Sequence, residues 1–192
     1  PQQMGEVMTF LLAVGQMTST ADREANFHAA AAMVDDAARR GAAMLCLPEN
    51  FSFLGDSDEG GLQIAEALDG PHLRRYRDLA HRHGIWLSLG GYQQACSSER
   101  IFNTHVVVDP TGAIRASYRK IHLFDMDLPD GTKLRESKFV QAGTEIVVAN
   151  GLSLGSPNVV LANPPYVRHH HMDREDKERL QRLAYKMTGV EV

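Results

Sequence analysis

Three charged residues, two of them at the ends of apolar or extended runs, have types that can move a proton or stabilise a developing charge. Glu49 closes the run Leu45-Cys46-Leu47-Pro48-Glu49. A carboxylate placed after an apolar run and a proline is expected to be desolvated, which raises its pKa and suits a general base. Lys120 stands in Tyr118-Arg119-Lys120-Ile121-His122, again at the end of an extended segment. Its point charge can stabilise a developing oxyanion. Glu136, in Leu134-Arg135-Glu136-Ser137-Lys138, lies among charges. Taken one at a time, each residue also fits a plainer role: a loop glutamate, a surface lysine and an exposed salt-bridging glutamate.

The sequence holds two cysteines, Cys46 and Cys96. Cys46 is three residues before Glu49. In a continuing strand that odd separation sends the two side chains to opposite faces. Its apolar setting predicts an inert core thiol. Cys96, in Gln94-Ala95-Cys96-Ser97-Ser98, is expected in an exposed loop. Two such thiols make no disulfide framework, so a reduced compartment is expected. The triplet His169-His170-His171 could ligate a metal, but three consecutive histidines cannot all face one ion in regular structure. A polar loop is the plainer reading, and no metal site is expected.

The elements that must position these residues follow from periodicity and punctuation. Val7–Val14 reads as a buried strand ended by Gly15. Ser19 or Thr20 can cap a helix with Asp22 and Glu24 in its first turn. Phe27, Ala30, Ala31, Val34, Ala37 and Ala38 then share one face up to Arg40, and Gly41 ends it. Ala43–Leu47 is a second buried strand, and Asp56–Gly61 a polar loop. Leu73, Tyr76, Leu79 and Ala80 mark a second amphipathic helix between Pro71 and Gly84. Ile85–Leu89 is a third strand, ending at Gly90-Gly91. Phe102–Val108 and Ala113–Tyr118 flank Asp109-Pro110-Thr111-Gly112, a type I turn signal, and so form a hairpin. Ile146–Ala149 could add a strand. This alternation predicts an α/β fold with a mostly parallel sheet and an antiparallel edge.

Composition narrows the function classes. The 192 residues are 43% hydrophobic and 23% charged with a net charge of −4, enough apolar content for a packed core. The mild, mixed charge argues against nucleic acid or a membrane surface as partner. No apolar run is long enough to span a bilayer. The run Val7–Val14 lacks the basic flank of a signal peptide. A cytoplasmic chain is expected, with an upstream targeting segment left open because the sequence starts at Pro1. Composition shifts near Asn150, so residues 1–149 are expected to form the α/β unit and residues 150–192 a divergent tail. In that tail Leu180, Leu183, Ala184 and Met187 share one helical face.

Together the motifs resemble the nitrilase superfamily of carbon–nitrogen hydrolases. The resemblance rests on Leu47-Pro48-Glu49, on Tyr118-Arg119-Lys120-Ile121-His122-Leu123-Phe124-Asp125, and on Arg135-Glu136-Ser137 followed by Gly143. Glu49-Asn50-Phe51, Trp86–Tyr92 and Asn103-Thr104-His105 look most like its deaminated glutathione amidase branch. The resemblance spans about residues 7–148. It implies part of an α-β-β-α sandwich, with a mixed sheet carrying helices on one face. It implies Glu49 as general base, Lys120 as oxyanion stabiliser and Glu136 as the second glutamate, acting on a small amide without a cofactor. The family's nucleophile is a cysteine in a Gly-Leu-x-x-Cys-Tyr-Asp type of string. Here the corresponding stretch reads Gly155-Ser156-Pro157-Asn158-Val159-Val160-Leu161-Ala162-Asn163 and holds no cysteine. An amidase-like chain that is itself inactive is therefore expected. The alternatives are a binding module that pairs with a complete homologue, as homo- or hetero-oligomer, and an unstable splice product.

Overall fold

A computed structural model describes residues 10–148 apart from 56–57, 129–130 and 132. The tail expected from residue 150 onwards, with its helix and histidine triplet, lies outside the described residues, as do the first residues of the run Val7–Val14. Within the described residues the order is β1 (Leu11–Val14), α1 (Arg23–Arg39), β2 (Ala42–Leu47), α2 (Asp58–Ile64), α3 (Pro71–His83), β3 (Trp86–Ala95), β4 (Ile101–Val108), β5 (Ile114–Arg119), β6 (Asp125–Asp127) and β7 (Lys133–Arg135). A single 3₁₀ turn, Glu136–Lys138, follows.

The strands β1 to β5 form one sheet in sequence order. β1 pairs with β2 and β2 with β3 in parallel, whereas β3 with β4 and β4 with β5 are antiparallel. The α/β sheet is as expected, but it is mixed rather than mostly parallel, since parallel and antiparallel pairs are equal in number. Alternation along the strands sends Leu45, Leu47, Leu87, Leu89, Val106 and Val108 to one face. There they pack with Phe27, Ala30, Val34 and Ala37 of α1 and with Leu73, Tyr76, Leu79 and Ala80 of α3.

Local chemistry sets the helix ends. Asp22, not Ser19 or Thr20, caps α1; its Oδ1 accepts from the amides of Glu24 and Ala25 at 2.9 and 3.0 Å. Thr20 is engaged elsewhere: its amide donates to Asn26 Oδ1 at 3.0 Å. The residue before α3 is Gly70, which has no side chain to cap with. Glu66 substitutes, its Oε1 accepting from the amides of His72 and Leu73 at 2.8 and 3.0 Å.

Four further expectations are corrected. Among the described residues β1 is a sheet edge rather than a buried strand, with Leu11 52% and Val14 78% exposed. The segment read as the loop Asp56–Gly61 carries α2 instead. Its glycines are poor helix formers, but Gly61 is buried against Ile101, whose Cδ1 would lie 3.3 Å from an added Cβ. Tertiary contact outweighs propensity there. β3 does not stop at Gly90-Gly91 but runs on to Ala95 across a shift in register. Ile146–Val148 form no strand; they are exposed, and the nearer Val140 takes the bridge to Ile101. The expected hairpin forms, closed by Gly112 N donating to Asp109 O at 2.9 Å.

Candidate active site

Glu49 lies two residues beyond Leu47, the end of β2, in a loop that is fixed from several sides. Asn50 has φ of 59°, and its amide donates to Gly91 O at 3.2 Å. Gln93 Nε2 donates to Asn50 Oδ1 at 3.0 Å and to Phe53 O at 3.1 Å. Gln93 Oε1 accepts from Ser52 Oγ at 3.0 Å, and Asn26 Nδ2 donates to Ser52 O at 3.1 Å. These buried polar groups satisfy one another, which makes the loop rigid.

The bulge in β3 explains the glycine pair. Gly91 has φ of 64°, a conformation that favours glycine. An added Cβ there would lie 2.7 Å from Glu49 Cγ and 3.0 Å from Asn103 Oδ1. At Gly90 it would lie 2.9 Å from Leu47 O. The bulge thus lets β3 pass directly beneath the Glu49 loop.

Lys120 leaves the end of β5. Its amide donates to Asn103 O at 2.8 Å, and its carbonyl accepts from Gly143 N at 2.9 Å. Glu136 comes from the other ribbon, where β6 and β7 pair antiparallel. Asp125 holds the 3₁₀ turn there, accepting from Ser137 N at 3.0 Å and Ser137 Oγ at 2.6 Å. The Phe124 amide donates to Glu136 Oε2 at 2.6 Å.

These three elements converge. Lys120 Nζ donates to Glu49 Oε1 at 3.1 Å and to Glu136 Oε2 at 2.9 Å. The Lys120 and Glu136 side chains are only 18% and 17% exposed. The plainer readings, a surface lysine and an exposed glutamate, are therefore corrected. Glu49 is 36% exposed, so the expectation of a desolvated carboxylate is corrected too; the ammonium beside it and an open side replace an apolar enclosure. Burial works against the Lys120 ammonium, but the Glu136 hydrogen bond and the nearby Glu49 charge outweigh it and raise its pKa above the ordinary value. Lys120 is thus a fixed cation near neutral pH. Two of its three N–H groups are taken by the carboxylates, and among the described residues the third has no acceptor.

Sequence reasoning left out one polar member of this cluster. Asn103 Nδ2 donates to Glu49 Oε1 at 2.6 Å and to Glu136 Oε1 at 3.2 Å. An asparagine in the middle of a strand of mostly apolar residues was the available signal. The thiols stand elsewhere. Cys46 pairs with Ser88 in the sheet, on the face opposite the helices, and burial pushes its thiol up. Cys96 is exposed.

The sequence model for carbon–nitrogen hydrolase matches residues 11–163, a stretch that includes all four clustered side chains. The chain belongs to the carbon–nitrogen hydrolase family. Carbon–nitrogen hydrolases also stand among its individual relatives. The nitrilase and fragile histidine triad fusion protein NitFhit of Caenorhabditis elegans is 43% identical over 138 residues, covering 71% of this chain and 31% of that protein. The deaminated glutathione amidase of Dictyostelium discoideum is 38% identical over 151 residues, covering 72% of this chain and 50% of that enzyme. The crystal structure of the C. elegans NitFhit protein superposes with a TM-score of 0.65 at 41% identity, covering 73% of this chain and 35% of that one. The chain spans half or less of the length of these relatives.

Proposed function

We propose that this chain carries the carboxylate–ammonium part of an amidase site and does not by itself complete a turnover. The observation that supports this reading is the simultaneous bonding of Lys120 Nζ to Glu49 and Glu136. In an amidase built on this cluster, a thiol gives its proton to Glu49 and its sulfur bonds to the amide carbonyl carbon. The free N–H of Lys120 donates to the oxyanion, while Glu136 holds the lysine in place. The carbon–nitrogen bond then breaks, and ammonia leaves with the proton from Glu49. Water, deprotonated by the same carboxylate, cleaves the thioester.

The missing part is the thiol. Neither Cys46 nor Cys96 bonds to the cluster among the described residues, and no cysteine occurs after residue 96. The similarity to deaminated glutathione amidases makes deaminated glutathione the leading small-amide substrate of a completed site. Ammonia release from that amide by the purified chain tests the reading. No release above the Glu49→Gln background is expected, and a Glu49-dependent release would overturn it.

A further inference from the structure

We propose that Asn103 is a positioning residue that fixes which oxygen of Glu49 faces the reaction. Two carboxylates share one ammonium here, so they repel each other and a single cation does not neutralise both. Asn103 supplies a second, uncharged bridge. The two hydrogens of its amide point at Glu49 Oε1, 2.6 Å away, and at Glu136 Oε1, 3.2 Å away. The opposite rotamer would set its carbonyl oxygen against two carboxylates, so the hydrogen-bond partners fix this orientation. Its own Oδ1 is left against the bare face of Gly91. Through its backbone carbonyl the same residue also accepts from the Lys120 amide at 2.8 Å. Asn103 therefore contacts all three charged members of the cluster.

The consequence is an asymmetric Glu49. Its Oε1 accepts from both Lys120 and Asn103. Among the described residues its Oε2 accepts nothing, which leaves that oxygen to take the proton. A carboxylate held only by the lysine could rotate and exchange its two oxygens; the second bond prevents this. The base role of Oε2 rests on the amidase reading above, whereas the bridge itself does not.

The test therefore reads the bridge without turnover. Lys120 is titrated by side-chain nitrogen and Cε NMR in the whole chain, with Glu49 and Glu136 the charged groups facing it. The wild type is expected to titrate above an ordinary lysine. Glu49→Gln lowers that value, because one of the two raising charges is gone. Asn103→Leu, close in size but without a donor, keeps both charges but frees Glu49 to turn from Lys120, and is expected to lower it by less than Glu49→Gln does, with amide shifts distant from the cluster unchanged. If the leucine variant fails to fold, Asn103→Ala makes the same comparison. A packing role alone would lower the melting temperature and leave the Lys120 titration at its wild-type value. That result, or a Lys120 value insensitive to Glu49→Gln, would overturn the proposal. Either failure leaves the amidase reading to its own ammonia assay.

Discussion

Lys120 carries the electrostatics of the cluster, and its protonation ties the cluster to stability. Its pKa is raised in the folded chain above the ordinary 10.5. A raised lysine stabilises the fold fully below the unfolded value and loses that contribution as pH rises through the folded one. Lys120→Met is therefore expected to melt at a lower temperature than the wild type at pH 8, with the gap narrowing above pH ~10.5. Thermal melts across that alkaline range check this. At this scale the sequence was informative about type and less so about setting. Glu49 and Lys120 were legible because they stand at the ends of apolar or extended runs, and Glu136 only because its string, like theirs, resembles one superfamily. Their burial was not legible, since it depends on which segments fold over them. Asn103 was quoted within a motif but not as a site residue. Its partners lie 54 and 33 positions away, and only the sheet brings them together.

At the scale of the elements, a bulge places Glu49, and a capped helix carries a pH-dependent group of its own. The bulge at Gly91 was hidden because Gly-Gly reads as a strand end. In fact it keeps β3 in the sheet while bringing its backbone under Glu49. Gly91→Ala meets both a backbone at φ of 64° and the 2.7 Å approach to Glu49 Cγ. A loss of about 1–3 kcal/mol is expected from the strained backbone, read by chemical denaturation. α3 offers a pH-dependent counterpart. His72 lies in its first turn, buried against Tyr76 and Phe27 with ring centroids 5.4 and 6.4 Å away. Burial, reinforced by the Arg23 charge, depresses its pKa from 6.5 to about 4. The unfolded chain takes up that proton first, so the stability contributed by neutral His72 is complete above pH 6.5 and is lost as pH falls through about 4. His72→Phe keeps an aromatic ring in the same contacts. Its melting temperature is expected to fall less than that of the wild type between pH 6.5 and 4. Equal slopes for the two proteins would count against this assignment. α1, α3 and the hairpin were all legible, because each combines a clear period with a turn or cap signal. α2 was not, because its two glycines argue locally for a loop and the contact with Ile101 is remote in sequence.

At the scale of the molecule, the sheet and the β6–β7 ribbon bring two carboxylates and an ammonium together, with neither Cys46 nor Cys96 bonded to them among the described residues. The α/β architecture was legible from the order of the elements, and the family from its strings. The family match covers residues 11–163, while the relatives extend well beyond the length this chain covers. Cys46 sits in the sheet with its thiol pushed up by burial, the opposite of an activated nucleophile. The most direct test is ammonia release from deaminated glutathione by the purified 192-residue chain, run beside Glu49→Gln. The account predicts that the two proteins are indistinguishable, both at the no-enzyme rate. Ammonia released by the wild type and abolished by Glu49→Gln would contradict it, and would require a nucleophile other than a thiol placed by this sheet.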